Sequence, residues 1–411
     1  MKIKQCKRCL YTSSHPLGLT FDENGICSGC RIHEEKNTLN WNERWDKLIK
    51  IVKKYKSQSN SNYDCIVPVT GANDSYYILH LVKNKLKLNP LLVTYNKYFN
   101  TPLGIRNLAN LRIKFDCDIL IQNVNPKSVK KITRETFRRF GNIYWHCLAG
   151  QSVFPVQVAV SHKIPLIIWG AHQGLEQVGM FSHTHEVEMT RRYRKDHDLM
   201  GFEADDLISI FNNLSEEDIW QYRYPNDFEL NEVGVRGIYL GNYVRWDPKA
   251  QHEEMIKKFN FKTSSFNRTF DCYDFVDCYN YMDIHDLLKL YKHGYSKVAD
   301  HATREIRFGR LTREKGIALV NNYQFKKTNF ENLFANWLGI PEEALEFMKN
   351  QFRNKLYWNE YELGAWKFKN TQYKKKNSGK IKLEGEENFI CTDSLSLDKD
   401  QKYITIGKGY P

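Results

Sequence analysis

Asp64-Cys65-Ile66-Val67-Pro68-Val69-Thr70-Gly71-Ala72-Asn73-Asp74-Ser75 joins a short apolar run to a turn of small and polar residues. The run Cys65 to Val69 is bounded and rich in β-branched residues, the pattern of a strand buried on both faces of a parallel sheet. After Ser75, Tyr76-Tyr77-Ile78-Leu79-His80-Leu81-Val82 carries apolar residues at helical spacing. A small-residue turn between a strand and a helix start aims unpaired backbone N–H groups and the positive end of a helix at one point. That arrangement suits a phosphate or pyrophosphate. Neither a GxxxxGK[ST] run nor a GxGxxG run follows the strand.

Downstream, Pro90-Leu91-Leu92-Val93-Thr94-Tyr95 reads as a second buried strand and Ile119-Leu120-Ile121 as a third. Ile164-Pro165-Leu166-Ile167-Ile168-Trp169-Gly170 reads as a fourth, with helical stretches between the strands. The expected fold class is therefore α/β with a doubly wound parallel sheet. Ligands of such sheets sit beyond the carboxyl ends of the strands, which nominates Thr94, Tyr95, Asn96, Gly170, His172, Gln173 and Glu176. From residue 251 the spacing turns helical, as in Ile284-His285-Asp286-Leu287-Leu288-Lys289-Leu290-Tyr291, with a short tail that includes Tyr403-Ile404-Thr405-Ile406. A chain of 411 residues exceeds the roughly 250–300 at which one core stops growing. We expect three parts, covering 1–40, 60–250 and 251–411.

The first part is defined by cysteines. Cys6-x-x-Cys9 and Cys27-x-x-Cys30 form two knuckles spaced for one tetrahedral zinc ion, and Phe21-Asp22-Glu23-Asn24-Gly25 supplies the strand and turn that returns the chain to it. Four thiolates leave no open position, so the expected role is structural. The other cysteines form no CxxC pair and are expected to stay reduced.

No run of about 18 apolar residues occurs and the N-terminus lacks a signal-peptide pattern, so a cytoplasmic protein with no membrane partner is expected. The net charge of +13 favours phosphate-bearing partners without choosing among nucleotide, sugar nucleotide and RNA. Arg191, Arg192 and Arg194 form a cluster that can receive a carboxylate or a phosphate by a two-point fork, or can be an exposed charged face. Cys147 has a histidine neighbour but reads as a core or pocket-wall residue.

Thr70-Gly71-Ala72-Asn73-Asp74-Ser75 resembles the SGGxDS loop of PP-loop ATP pyrophosphatases, with Thr70 for serine and Ala72 for glycine. If position 72 needed a positive φ, alanine would be strained there. With the cysteine knuckles, Asn89-Pro90-Leu91-Leu92-Val93-Thr94, Pro165-Leu166-Ile167-Ile168-Trp169-Gly170, Gly237-Ile238-Tyr239-Leu240-Gly241-Asn242-Tyr243 and Ile306-Arg307-Phe308-Gly309-Arg310-Leu311-Thr312-Arg313-Glu314, the chain resembles the N-acetyl sugar amidotransferase family of lipopolysaccharide and pseudaminic-acid pathways. The resemblance implies an ATP- and Mg²⁺-dependent synthetase that adenylates an acetamido oxygen and lets ammonia displace AMP. It implies ATP contacts from Pro68, Val69, Thr70, Gly71, Ala72, Asn73, Asp74, Ser75, Thr94, Tyr95 and Gly170, with Asp74, Ser75 and Glu176 catalytic, and Arg191, Arg192 and Arg194 are the candidate substrate-binding residues. The family usually has Trp-Gly-Glu where this chain has Trp169-Gly170-Ala171, so Glu176 or Glu186 would substitute. The implied partners are a sugar or sugar-nucleotide substrate and a glutaminase subunit that supplies ammonia. Nucleic acid is not expected. The rival readings are a tRNA-modifying PP-loop enzyme and an inactive nucleotide-binding protein.

Overall fold

The computed structural model describes residues 3–57, 61–72, 74–369 and 381–392. Asn73 and the run Tyr403-Ile404-Thr405-Ile406 lie outside the described residues. A five-stranded sheet in the order β3-β2-β1-β4-β5 forms the centre, with β1 Cys65–Pro68, β2 Pro90–Tyr95, β3 Ile119–Gln122, β4 Leu166–Trp169 and β5 Arg236–Tyr239. Every pairing is parallel: Ile66 sits opposite both Leu91 and Ile167, Leu92 opposite Ile119, and Ile168 opposite Ile238.

Successive strand residues point to opposite faces, and both faces are covered. Val67, Leu92, Ile168 and Ile238 pack beneath the helices beginning at Ser75 (Ser75–Leu79, continuing as a wider turn over His80–Lys85), Pro102–Phe115 and Pro248–Phe259. Ile66, Leu91, Val93 and Ile167 pack on the other side against Val156 and Ala159 of the helix Trp145–Ser161. Full burial of each such side chain is worth about 1.5–3 kcal/mol, so the two layers fix where the strand ends lie. Pro155 sits inside the helix Trp145–Ser161.

The C-terminal region is mainly helical, with helices Ile284–His293, Lys297–Arg307, Arg313–Tyr323, Glu331–Leu338 and Glu342–Gln351, followed by an antiparallel hairpin of Trp358–Glu362 and Ala365–Phe368. The cysteine-rich N-terminus packs on this region: Leu10 and Tyr11 share a core with Val298, Ala302 and Leu319. Cys272 and Cys391 are joined in a disulfide, contrary to the expectation of reduced thiols. The segment ending at Thr392 lies across Thr263 and Tyr273, held by Thr263 N–H to Thr392 Oγ1 at 2.8 Å and Ile390 N–H to the Tyr273 hydroxyl at 3.0 Å, which brings the two cysteines together. Among the described residues no helix is long and apolar enough to cross a membrane.

Candidate active site

The loop after β1 is ordered by its own hydroxyls. Thr70 N–H donates to Ser75 Oγ at 2.9 Å, the Thr70 hydroxyl donates to the Ala72 carbonyl at 3.0 Å, and Ala72 N–H donates back to Thr70 Oγ1 at 3.2 Å. Gly71 is required by packing: a Cβ there would lie 1.9 Å from the Gly104 carbonyl oxygen. Ala72 does not take a positive φ and its methyl is fully buried in the core. The alanine therefore fits without strain.

The loop opens on a cavity of about 340 Å³ at the carboxyl ends of β1, β2 and β4. Of the residues expected to contact a nucleotide, Pro68, Val69, Thr70, Asp74, Ser75, Thr94, Tyr95 and Gly170 line it, whereas Gly71 and Ala72 stand behind the wall. The Tyr95 hydroxyl is already engaged by His146 Nδ1 at 3.0 Å and the Tyr222 hydroxyl at 2.7 Å, so Tyr95 presents only its ring. Gly170 makes room for Asp74, since a Cβ on Gly170 would fall 2.0 Å from Asp74 Oδ2. Burial raises the Asp74 carboxyl above its ordinary range, opposed by the charge of His252 and the Ala171 N–H.

Among the wall residues that sequence reading did not find are a histidine and an aspartate. His252, on the helix Pro248–Phe259, has Nδ1 2.5 Å from the Pro248 carbonyl while Nε2 has no hydrogen-bond partner among the described residues. Asp274 enters from a loop of the C-terminal region, 3.3 Å from His301 Nε2 and 3.4 Å from Arg304 Nη1. Burial works to raise its carboxyl, but the His301 hydrogen bond and the Arg304 charge hold it well below the usual range. Asp271, Asp274 and His301 bring donor atoms within 4.8 Å of one another, yet Arg304 bridges the two carboxylates. The cluster is thus an ion-pair network. The only signals these residues carry are a histidine on an amphipathic helix and one of several aspartates in a loop, and neither is specific.

The remaining candidates lie elsewhere. Glu176 borders an adjoining cavity of about 190 Å³, not the loop cavity. Its Oε2 accepts from the buried Lys36 at 2.5 Å, and its Oε1 is buried with no partner among the described residues. Glu186 is ion-paired to Lys47 on the outside of the molecule. Arg191 grips Glu203 through Nε at 3.1 Å and Nη2 at 2.7 Å, Arg194 donates to the same carboxylate, and Arg192 is 92 % exposed beside Asp196. His172 borders a further cavity described below, Gln173 stands on the wall between that cavity and the loop cavity, and Asn96 is spent on Asn123 at 2.7 Å. Cys147 is buried, and burial pushes its thiol well above the ordinary value.

Cys6, Cys9, Cys27 and Cys30 place their sulfurs within 4.8 Å of one another, with Cys6 to Cys30 at 4.0 Å and Cys9 to Cys27 at 3.6 Å. Four ligands at a Zn–S distance near 2.3 Å require sulfurs about 3.8 Å apart, so the donor set fits. Backbone N–H groups of Cys9 and Cys27 point at Cys6 Sγ at 3.5 and 3.3 Å and would stabilise a thiolate there.

Fold and site together define an α/β protein with a cavity between the strand ends of its parallel sheet and a mainly helical C-terminal region, and with a four-cysteine cluster at its N-terminus. Residues 253–373 match the family described as LPS biosynthesis protein WbpG-like, C-terminal domain, in accord with the resemblance to sugar amidotransferases. An uncharacterized protein, MJ1599, of Methanocaldococcus jannaschii is 27% identical over 122 residues, which is 29% of this chain and 42% of that protein. The match therefore spans less than half of that relative. The NH3-dependent NAD synthetase from Campylobacter jejuni, solved with a nitrate ion, aligns with 47% of this chain and 92% of its own at 11% identity and a TM-score of 0.26, too low to carry a functional argument.

Proposed function

We propose that this chain is the synthetase part of an ATP-dependent amidotransferase that converts an acetamido group of a bacterial surface sugar into an acetamidino group. The observation that carries the reading is the cavity at the strand ends, where Thr70, Asp74 and Ser75 face one space and Gly170 leaves room for the Asp74 carboxylate. The WbpG-like C-terminal domain supplies part of that wall through Asp274 and supports the surface-sugar setting.

An amide is a poor electrophile with a poor leaving group. Attack of its oxygen on the α-phosphorus of ATP expels pyrophosphate and leaves an adenylated imidate. Ammonia then adds to the imidate carbon, AMP departs with the former amide oxygen, and one proton is lost. The Ser75 hydroxyl, which accepts from Thr70 N–H and keeps its own proton to donate, stabilises charge that grows on the pyrophosphate. Asp74, whose carboxylate makes no ion pair among the described residues, is the residue that would hold Mg²⁺, which neutralises phosphate charge when bound. His252 Nε2, without a partner among the described residues, takes the proton released by ammonia.

A separate glutaminase is the proposed ammonia source. The cysteine with an adjacent histidine, Cys147, has its thiol held protonated by burial, which does not suit a nucleophile that attacks glutamine. The four-cysteine site is proposed to hold structural zinc.

Pyrophosphate release with ATP, ammonium and a panel of acetamido sugars, followed by mass spectrometry, tests the reading. We expect product in which one oxygen is replaced by NH. Pyrophosphate release that is independent of every sugar, with no such product, would remove the assignment.

A further inference from the structure

A second cavity, of about 360 Å³, adjoins the loop cavity, and the two share Gln151, Trp169, Ala171, Gln173, Tyr239 and Phe275 as a common wall. Its size is that of a small-molecule site. The far side is built from segments well apart in the chain. The His172 ring lies 4.2 Å from that of Tyr193 and 4.8 Å from that of Tyr239, and Tyr281 also lines the cavity. His172 is only 3 % exposed, and neither ring nitrogen has a hydrogen-bond partner among the described residues.

The one acidic group in the lining is Asp198. Its carboxylate makes no hydrogen bond with any described residue, and burial pushes it up to about 6, eased by the charge of Arg194. It is still ionised at neutral pH. Arg194 also borders the cavity: its Nη2 donates to Glu203 and the guanidinium lies 4.6 Å over the Tyr224 ring, while its Nε and Nη1 are buried with no hydrogen-bond partner among the described residues. Arg191 uses its fork on the same Glu203, and Arg192 stands outside. Of the cluster, Arg194 alone borders this cavity, and its charge is balanced by Glu203.

Aromatic faces with one carboxylate acceptor, beside an arginine whose charge Glu203 balances, are the recognition chemistry of an uncharged polyol ring. The C–H faces of such a ring pack on aromatic surfaces, and its hydroxyls donate charge-assisted hydrogen bonds. We propose that this cavity is the acceptor-sugar site: it holds the uncharged ring of an acetamido sugar with hydroxyls on Asp198, while the acetamido arm reaches across Trp169 and Tyr239 to the nucleotide. The role of the arm rests on the amidotransferase reading above; the ligand class rests on the lining alone. A carboxylate placed against Asp198 would be repelled, so an acidic sugar must turn its negative group away from this residue.

Saturation-transfer NMR on the full chain, with N-acetylglucosamine, glucose and N-acetylneuraminic acid as probes, tests the site, with calorimetry of ATP and magnesium alongside. We expect N-acetylglucosamine to bind and Asp198→Asn to weaken it about tenfold or more, the scale of a lost charge-assisted hydrogen bond. Tyr193→Leu should weaken it too, with ATP affinity unchanged in both variants. Absence of N-acetylglucosamine binding, indifference of that binding to both variants, or tighter binding of N-acetylneuraminic acid than of N-acetylglucosamine would overturn the proposal. If the sugar binds and responds to Asp198→Asn while ATP does not bind at all, the ligase reading falls and the sugar site stands.

Discussion

Arg307 donates through Nη2 to Cys27 Sγ at 3.8 Å and through Nη1 to the carbonyls of Glu176 and Gln177 at 3.1 and 2.8 Å. One guanidinium thus ties the four-cysteine cluster to the loop that follows β4. The Cys27-Ser28-Gly29-Cys30 knuckle is shaped for it, since a Cβ on Gly29 would meet Arg307 Nη2 at 2.2 Å. Lys36 makes a second tie, from the helix that follows the knuckle toward Glu176 at 2.5 Å and the Trp246 carbonyl at 3.0 Å.

Metal removal should therefore do more than unravel the N-terminus. Chelation, or Cys27→Ser, is expected to lower the melting temperature and to abolish ATP binding, because Trp246 lines the loop cavity. Structural zinc is worth on the order of 10 kcal/mol of binding free energy. Metal analysis with calorimetry checks this, and a metal-free protein that binds ATP normally would refute the coupling.

Asp74→Asn should separate activity from stability. The folded Asp74 carboxyl lies above its unfolded value because it is buried, so its ionisation opposes folding once the pH exceeds the ordinary carboxylate range. Asparagine removes that cost. We expect pyrophosphate release to fall by about 10²–10³, the scale of losing one preorganised charge-stabilising group, with a melting temperature at pH 7 equal to or above that of the parent.

Gly71→Ala and Gly170→Ala should fail in different ways. At position 71 the new methyl meets backbone, the Gly104 carbonyl, and Gly104 itself is pressed on Asp277. Neither can give way, so about 1–3 kcal/mol of stability should be lost. At position 170 the methyl meets the end of a side chain, Asp74 Oδ2, which can rotate aside. The fold should survive and ATP turnover should fall. Thermal melting and a pyrophosphate assay on the two variants check the contrast.

The strands could be read in advance because they are buried on both faces: β2 spans the predicted Pro90–Tyr95, and β1 and β4 differ from their apolar runs by a few residues at the ends. β5 escaped as a strand because Arg236-Gly237-Ile238-Tyr239 offers one aliphatic side chain. The loop residues were found because they are contiguous. His252, Asp274 and Asp198 were not, because what gives them meaning is a tertiary approach of segments far apart in sequence. The arginine cluster misled for a related reason: Glu203, which occupies two of its members, lies outside the basic run.

That pairing separates the three arginines. Arg192→Ala should leave sugar affinity and stability unchanged, since exposed ion pairs are worth little. Glu203→Gln should destabilise the fold by about 3 kcal/mol, because it leaves the buried Arg194 uncompensated. Melting curves and sugar titrations of both variants check this.

Asp198→Asn supplies a pH signature that a purely structural residue would not give. Its folded carboxyl sits at about 6 against 3.8 for the ordinary group. Below the lower value both folded and unfolded chains are protonated and the residue costs nothing. The cost grows as the pH climbs between the two and is complete above the higher. At about 1.4 kcal/mol per unit, discounted because the residue is only partly buried and borders a cavity, the penalty is about 1–2 kcal/mol at neutral pH. The variant should therefore match the parent in denaturant midpoint near pH 3.5 and exceed it above pH 6, and in that upper range its sugar affinity should be lower. A variant that is less stable than the parent at neutral pH would mean that Asp198 is held by partners within the fold and does not wait for a ligand.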